Sequence, residues 1–208
     1  MKRILYEPAF PFSEEAASAL RKGGVIAFPT DTAYGLGADP LNEEACETIY
    51  VIKDRAPDQP LILLGDRIED FLPFCRFSST ARKLAARFWP GGLTLILSAK
   101  ETVPSWVNRG KKTIGVRIPD CDSPREISRL LGRPLATTSA NRSGQPSPRS
   151  GDDVFEQLKD TALILLLDGG PTSTGLDSTL VDLSGKEWKV LRQGGVSPES
   201  LREVLGKS

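Results

Sequence analysis

The feature that most constrains this chain is a steady alternation of short apolar runs with amphipathic stretches. Val25–Phe28, Leu61–Leu64, Leu93–Leu97, Thr113–Ile118, Leu135–Thr138 and Leu163–Leu167 are each four to six residues long and end in proline, glycine or polar residues. Runs of that length suit strands buried in a sheet. Arg3–Tyr6 adds a possible first strand. The stretches between them read as helices with recognisable ends. Ser13–Lys22 has Ser13 as N-cap and Gly23 just beyond its end. Asn42 caps a helix whose first turn holds Glu43 and Glu44 and whose buried face holds Ala45, Ile49 and Ile52. Asp66–Phe74, Ser79–Trp89 and Asp152–Lys159 are further helical stretches, and Ser197-Pro198 opens a last short one. Ser123-Pro124-Arg125-Glu126 has the form of a capping box, closed by Gly132. Thr179–Leu183 and Glu187–Leu191 flank Ser184-Gly185, a two-residue hairpin signal. Strand–helix alternation with a hairpin predicts an α/β fold with a mixed sheet, not a purely parallel one. No repeat or linker interrupts the order, so residues 1–208 are expected to form a single domain.

Composition then removes whole classes of chemistry. Histidine is absent, which excludes the usual catalytic triads, the commonest general base and most zinc sites. Cys46, Cys75 and Cys121 are widely spaced and odd in number, as in a reducing compartment, and with no histidine to activate them and no obvious basic loop around them they read as packing residues. Lys2 and Arg3 precede Glu7, Pro8 and Pro11 and no apolar signal segment, and the longest aliphatic run, Ala162–Leu167, is far too short to cross a bilayer. A cytoplasmic protein without membrane association is expected. Lysine plus arginine and aspartate plus glutamate both number 27, so a strongly basic nucleic-acid binder is disfavoured.

Four polar segments lie at strand or helix ends, where open α/β sheets build sites. Pro29-Thr30-Asp31-Thr32-Ala33-Tyr34-Gly35 crowds hydroxyls behind a strand, although Asp and Gly there also make a plain turn. Lys53-Asp54-Arg55 offers a point charge and a planar fork for anions, although both cations also complement a helix C-terminus. Thr138–Gly144 can nest phosphate oxygens, or be a flexible polar loop. Gly175–Thr179 and Arg192–Gly195 sit on the hairpin strands and can bring Ser178 to Arg192, while Arg117 is a further isolated cation; surface ion pairs are the ordinary alternative for both arginines. The three tryptophans read as core or rim, and only Trp106, beside Arg109–Lys112, suggests an RNA contact. There is no Walker A motif, and Gly35-Leu36-Gly37-Ala38-Asp39-Pro40 puts proline where a dinucleotide fingerprint needs its third glycine.

In combination these segments resemble the YrdC-like family of threonylcarbamoyl-AMP synthases. The matching order is Pro29–Gly37, Lys53-Asp54-Arg55, Trp89-Pro90-Gly91 with Leu93-Thr94, Val116–Pro119, Ser139-Ala140-Asn141, Asp177-Ser178-Thr179 and Arg192-Gln193-Gly194. Asp54 and Ala56 depart from the usual Gly and Pro, and Asp120–Ser123 from a frequent His-Pro pair. The resemblance implies an open twisted mixed α/β sheet with flanking helices around a deep basic cleft, and the short form of the family without an additional C-terminal domain. It also implies a nucleotidyltransferase reaction in which L-threonine, bicarbonate and ATP give threonylcarbamoyl-AMP and pyrophosphate. The product would pass to a separate transferase complex that modifies tRNA beside the anticodon. Residue by residue, Lys53 and Arg55 would be catalytic. Thr32, Arg55 and Ser178 would hold threonine, and Lys53, Arg117, Ser139, Asn141 and Arg192 the nucleotide. Magnesium would arrive with ATP, with no protein metal site, and RNA would bind at most weakly. The alternatives are a paralogue that carbamoyl-adenylates another substrate, or a non-enzymatic RNA-binding module on the same fold.

Overall fold

The computed structural model describes residues 1–5, 12–56 and 58–205, so Tyr6 of the expected first strand lies outside the described residues. In chain order the elements are β1 (Lys2–Leu5), α1 (Phe12–Arg21), β2 (Ile26–Phe28), β3 (Gly35–Ala38), α2 (Glu43–Lys53) and β4 (Ile62–Leu64). A 3₁₀ turn (Ile68–Phe71), α3 (Ser79–Phe88), β5 (Leu93–Ser98), α4 (Ser105–Asn108), β6 (Thr113–Arg117) and α5 (Asp122–Leu131) follow. The chain continues with β7 (Leu135–Ser139), α6 (Gly151–Leu158), β8 (Leu165–Asp168), β9 (Thr179–Asp182), β10 (Lys189–Arg192) and α7 (Pro198–Leu205). The strands form one ten-stranded sheet in the order β1-β8-β2-β3-β7-β4-β6-β5-β9-β10. It is mixed, as expected: β4 pairs parallel with β6 and antiparallel with β7, and β5 pairs parallel with β9 and antiparallel with β6.

The two faces of the sheet are treated differently, and the two-residue period of a strand decides which side chain goes where. Leu93, Leu95 and Leu97 of β5, Ile114 and Val116 of β6, and Leu61 and Leu63 beside β4 all enter one large core. That core also takes the apolar stripes of α2, α3, α6 and α7, with Ile49, Leu84, Val154 and Leu201 at its centre. The opposite face has a smaller core, where Ala16 and Leu20 of α1 meet Ile127 and Leu131 of α5 over Ile26, Phe28, Leu135 and Leu165. Among the described residues no helix covers the rest of that face, which we call bare. Along β6 the bare face carries Thr113, Gly115 and Arg117, the first and last of which are about 13 Å apart at strand rise.

A ten-residue segment, 169–178, joins β8 to β9, and we refer to it as the strap. β8 is second and β9 ninth in the sheet order, seven strand spacings or roughly 34 Å along a flat sheet. Eleven steps of extended chain reach at most about 36–40 Å. The strap is not straight, because Gly170 and Gly175 turn it at φ +75° and +61°. The sheet must therefore curl to bring the two strand ends within reach, and the bare half of its face becomes a trough.

Two cap readings fail through one interaction. The Ser13 hydroxyl does not cap α1, which starts at Phe12, and Glu126 does not close a capping box on α5, which starts at Asp122 with no side-chain cap. Instead Ser13 Oγ donates to Glu126 Oε2 at 2.6 Å, binding α1 to α5. Asp66–Phe74 yields only the 3₁₀ turn. The hairpin turn is six residues, 183–188, because the Asp182 carboxylate accepts from the amide and hydroxyl of Ser184 and turns the chain away early. β3 was hidden in the Gly35–Pro40 segment: its glycines lie under the Phe28 ring, and a Cβ at Gly37 would stand 2.6 Å from Phe28 Cε1. Among the described residues no helix is long and apolar enough to cross a membrane.

Phe28 is fully buried and cannot swing aside. Gly37→Ala is therefore expected to lower unfolding free energy by about 1–3 kcal/mol, the usual cost of overpacking. Urea denaturation measures this; an unchanged midpoint would show that the ring relaxes freely.

Candidate functional site

The trough holds a cavity of about 510 Å³ whose floor is Ile62 and Leu64 of β4, Gly115 of β6, Ile96 of β5 and Leu180 of β9. Gly115 keeps the floor low, since a Cβ there would stand 2.6 Å from Ile62 Cγ2. The walls are polar. Of the residues singled out in the sequence, Thr32, Arg55, Arg117, Ser139, Ser178 and Arg192 line this one cavity. Lys53 and Asn141 do not line it and stand behind its wall. Lys111 joins Arg55, Arg117 and Arg192 as a fourth lining cation, against Asp177 as the lining carboxylate, so the cavity is basic although the chain is neutral.

Each polar wall has an identifiable support. Arg117 is 5 % exposed and donates to Gly91 O (2.9 Å), Thr32 Oγ1 (2.8 Å) and Asp31 Oδ1 (2.5 Å). Burial draws its pKa below the usual guanidinium range, and the neighbouring Asp31 opposes that. Two guanidinium protons remain for a ligand, on a group whose charge Asp31 already balances. The hydroxyl of Thr30 has one proton and donates it to Ala33 O at 2.7 Å. The 3.0 Å contact between Thr30 and Thr32 hydroxyls must then be donated by Thr32, which also accepts from Arg117. What Thr32 has left for the cavity is a lone pair, suited to a donor such as an amine or hydroxyl.

Lys53 ends α2 at 2 % exposure, and its ammonium donates to Ser139 O (2.5 Å), Asn141 O (2.6 Å) and Asn141 Oδ1 (3.0 Å). Burial, aided by the Arg55 charge, pulls its pKa down to about 7, while Asp177 opposes the shift. Three carbonyl acceptors favour the ammonium form, the only one with a proton for each of them. Asn141 is equally committed: it accepts from Lys53 and Ser139 Oγ and donates to Arg142 O and Gln145 O. The pair therefore fixes the loop that presents Ser139. Asp54 turns the chain between Lys53 and Arg55 in the left-handed region, at φ 50°, where the glycine usual in the resembling family sits without strain. Arg55 reaches Thr138 Oγ1 at 2.5 Å and Pro60 O at 3.2 Å, and its Nε is buried without a partner.

On the opposite wall, Arg192 meets Ser178 as the hairpin predicted, donating to Ser178 O (2.9 Å) and Oγ (3.1 Å). Ser178 Oγ also lies 2.9 Å from Thr94 Oγ1. Gly194 allows this approach, because a Cβ there would stand 2.0 Å from Asp177 O. Sequence reasoning quoted Asp31, Tyr34 and Thr94 without giving them a role. The only available signal was a lone threonine on the open face of a leucine strand, and an aspartate and tyrosine inside an otherwise turn-like segment.

The basic run beside Trp106 is not a continuous surface. Arg109 grips Glu47 with both ends of its fork, at 2.5 and 2.9 Å, with its Cζ 3.8 Å from the centre of the Tyr50 ring. The Trp106 indole donates to Pro40 O. Burial pushes the Cys46 and Cys75 thiols up to about 12 and Cys121 to about 11, which leaves them protonated and unreactive at neutral pH. Among the described residues no cluster of three acidic or cysteine side chains is placed to hold a metal ion.

With this geometry in hand, comparison with known proteins is informative. Residues 18–194 match the Sua5_yciO_yrdC family, described as Telomere recombination. The chain is 40 % identical over 195 residues to a threonylcarbamoyl-AMP synthase of Pyrococcus abyssi and 39 % identical over 200 residues to that of Bacillus subtilis. These alignments cover 92 % and 94 % of this chain but 56 % and 57 % of those proteins, so the chain spans little over half their length. The crystal structure of P. abyssi Sua5 complexed with L-threonine superimposes with a TM-score of 0.95 at 37 % identity, over 99 % of this chain and 61 % of that one.

Removing one partner of the buried Asp31–Arg117 pair leaves an uncompensated charge. Asp31→Ala is expected to cost about 3–5 kcal/mol of stability. Asp31→Ala with Arg117→Met should cost clearly less than the sum of the single changes. A double-mutant cycle by chemical denaturation measures the coupling, and simple additivity would mean that the two side chains do not support one another.

Proposed function

Since this chain belongs to the Sua5_yciO_yrdC family, we propose that it condenses L-threonine, bicarbonate and ATP into threonylcarbamoyl-AMP and pyrophosphate. The observation that carries this reading is the convergence of Thr32, Arg55, Arg117, Ser139, Ser178 and Arg192 on one basic cavity. In this reading the threonine amine and bicarbonate first give a carbamate and water. A carbamate oxygen then forms a bond to the α-phosphorus, the bond to the β-phosphate bridging oxygen breaks, and pyrophosphate leaves with that electron pair.

The carbamate is already anionic, so this second step needs no general base, which suits a chain without histidine. It needs crowded negative charge to be aligned and neutralised, work for fixed cations and dipoles. Threonine would sit between Thr32, Arg55 and Ser178, with a donor group of the substrate on the Thr32 lone pair. The nucleotide would lie toward Ser139, Arg117 and Arg192, over the apolar floor. Lys53 and Asn141 would serve by fixing Ser139. Asp177 alone among the lining residues is a carboxylate, so magnesium would ride on the triphosphate. The product would pass to a separate transferase that modifies tRNA, and RNA itself would bind weakly and in a salt-sensitive way, as the interrupted basic run suggests.

Pyrophosphate release from ATP, with each substrate omitted in turn, tests the reading. Release is expected only when threonine and bicarbonate are both present; equal release with serine, alanine or no amino acid would remove the assignment. Arg55→Ala should lower turnover roughly 30- to 1000-fold, the loss of about 2–4 kcal/mol of charge-assisted stabilisation. Arg55→Lys should recover little, because lysine keeps the charge and loses the planar fork. Near-normal turnover in Arg55→Ala would reduce Arg55 to an ordinary helix-end charge.

A further inference from the structure

Both loops that complete the cavity are bolted to a single residue, Tyr34, but through different atoms. Its backbone holds the loop that follows β7: Ala140 N donates to Tyr34 O at 2.8 Å, and Tyr34 N donates to Pro148 O at 2.9 Å. Its side chain, fully buried, holds the root of the strap: the hydroxyl lies 2.7 Å from Gly170 O and 3.2 Å from Asp168 Oδ1 and accepts from Gly169 N at 3.0 Å. Asp168 is in turn fixed by Arg3 of β1, at 2.6 Å. A second tether lies further along the strap, where Ser173 Oγ, Thr174 N and Thr174 Oγ1 all donate to Asp31 O, at 3.1, 3.0 and 2.8 Å, and between the two tethers Thr172 N donates to Arg149 O at 2.8 Å, at the far end of the loop that follows β7. The far end of the strap carries Ser178 into the cavity.

We propose that Tyr34 is a positioning residue whose hydroxyl sets the root of the strap, and with it Ser178, while its backbone sets the loop that presents Ser139. The inference rests on the functional reading above for its substrates, threonine at the Ser178 end and ATP at the Ser139 end. The division between atoms gives it a signature that general destabilisation lacks. Phenylalanine at position 34 keeps the ring packing and both backbone bonds and removes only the oxygen that the strap uses.

The test is steady-state pyrophosphate release by the full chain and by Tyr34→Phe, varying threonine at saturating ATP and then ATP at saturating threonine. In Tyr34→Phe the KM for threonine should rise about tenfold, the worth of one hydrogen bond, with kcat within about threefold and the KM for ATP within about twofold. Thr174→Val, which removes one bond of the second tether, should move the threonine KM in the same direction by less. Equal rises in both KM values, or an unchanged threonine KM in a variant that melts as a folded protein, would overturn the proposal. Should the unaltered chain release no pyrophosphate, the functional reading fails, and hydrogen exchange still decides the tether. Amides in 169–177 should then exchange about tenfold faster in Tyr34→Phe with 139–148 unchanged, and unchanged exchange in the strap would sink it.

Discussion

A strand has two faces, and this sheet covers only one of them completely. Because Leu93, Leu95 and Leu97 face the large core, Thr94 and Ile96 must face the other way; because Ile114 and Val116 face it, Thr113, Gly115 and Arg117 must not. Five helices are spent on the first face and only α1 and α5 on the second, over the β8-β2-β7 half. The cavity exists because the remaining strands have no helix above them. The place of Arg117 in it follows from register: a one-residue slip of β6 would send Arg117 into the leucine core and Val116 into the trough.

Charge in the cavity is held rather than mobile. Arg117 is spoken for by Asp31 and Arg192 by the peptide and hydroxyl of Ser178, while Lys53, behind the wall, is held by three carbonyl oxygens. A ligand entering this site meets donors whose directions are already fixed, so little reorganisation accompanies binding. The cost is burial of ionised groups, which the structure offsets with the Asp31 carboxylate at Arg117 and three carbonyl acceptors at Lys53.

Much of this was legible in the sequence, and the failures have a common cause. The apolar runs located most strands because burial on a sheet is a local, period-two demand. Asn42 capped α2 as read, because its partner is the amide of Ala45 three residues away. Ser13 and Glu126 did not cap their own helices because their partner was each other, 113 residues apart, and no local pattern reports a bond of that range. β3 escaped for a related reason: glycine reads as a turn, and only the Phe28 ring pressed upon it explains why glycine is there. For the site, the resemblance named loops that the fold brings to one cavity. Which members reach the cavity and which stand behind it depended on side-chain depth, something neither spacing nor composition encodes.

The strap bears on how a chain of this fold can change in length. The six-residue loop 183–188 joins adjacent antiparallel strands, so extra residues there would bulge into solvent and disturb neither neighbour. Segment 169–178 has to bridge two strands set by the curl of the whole sheet, with turns at two glycines and tethers at Tyr34 and Asp31 already drawing on its span. Losing a residue there would have to flatten a turn, break a tether or tighten the curvature across seven strand spacings. Insertions and deletions should therefore accumulate in the hairpin and be purged from the strap, although both are connections between strands.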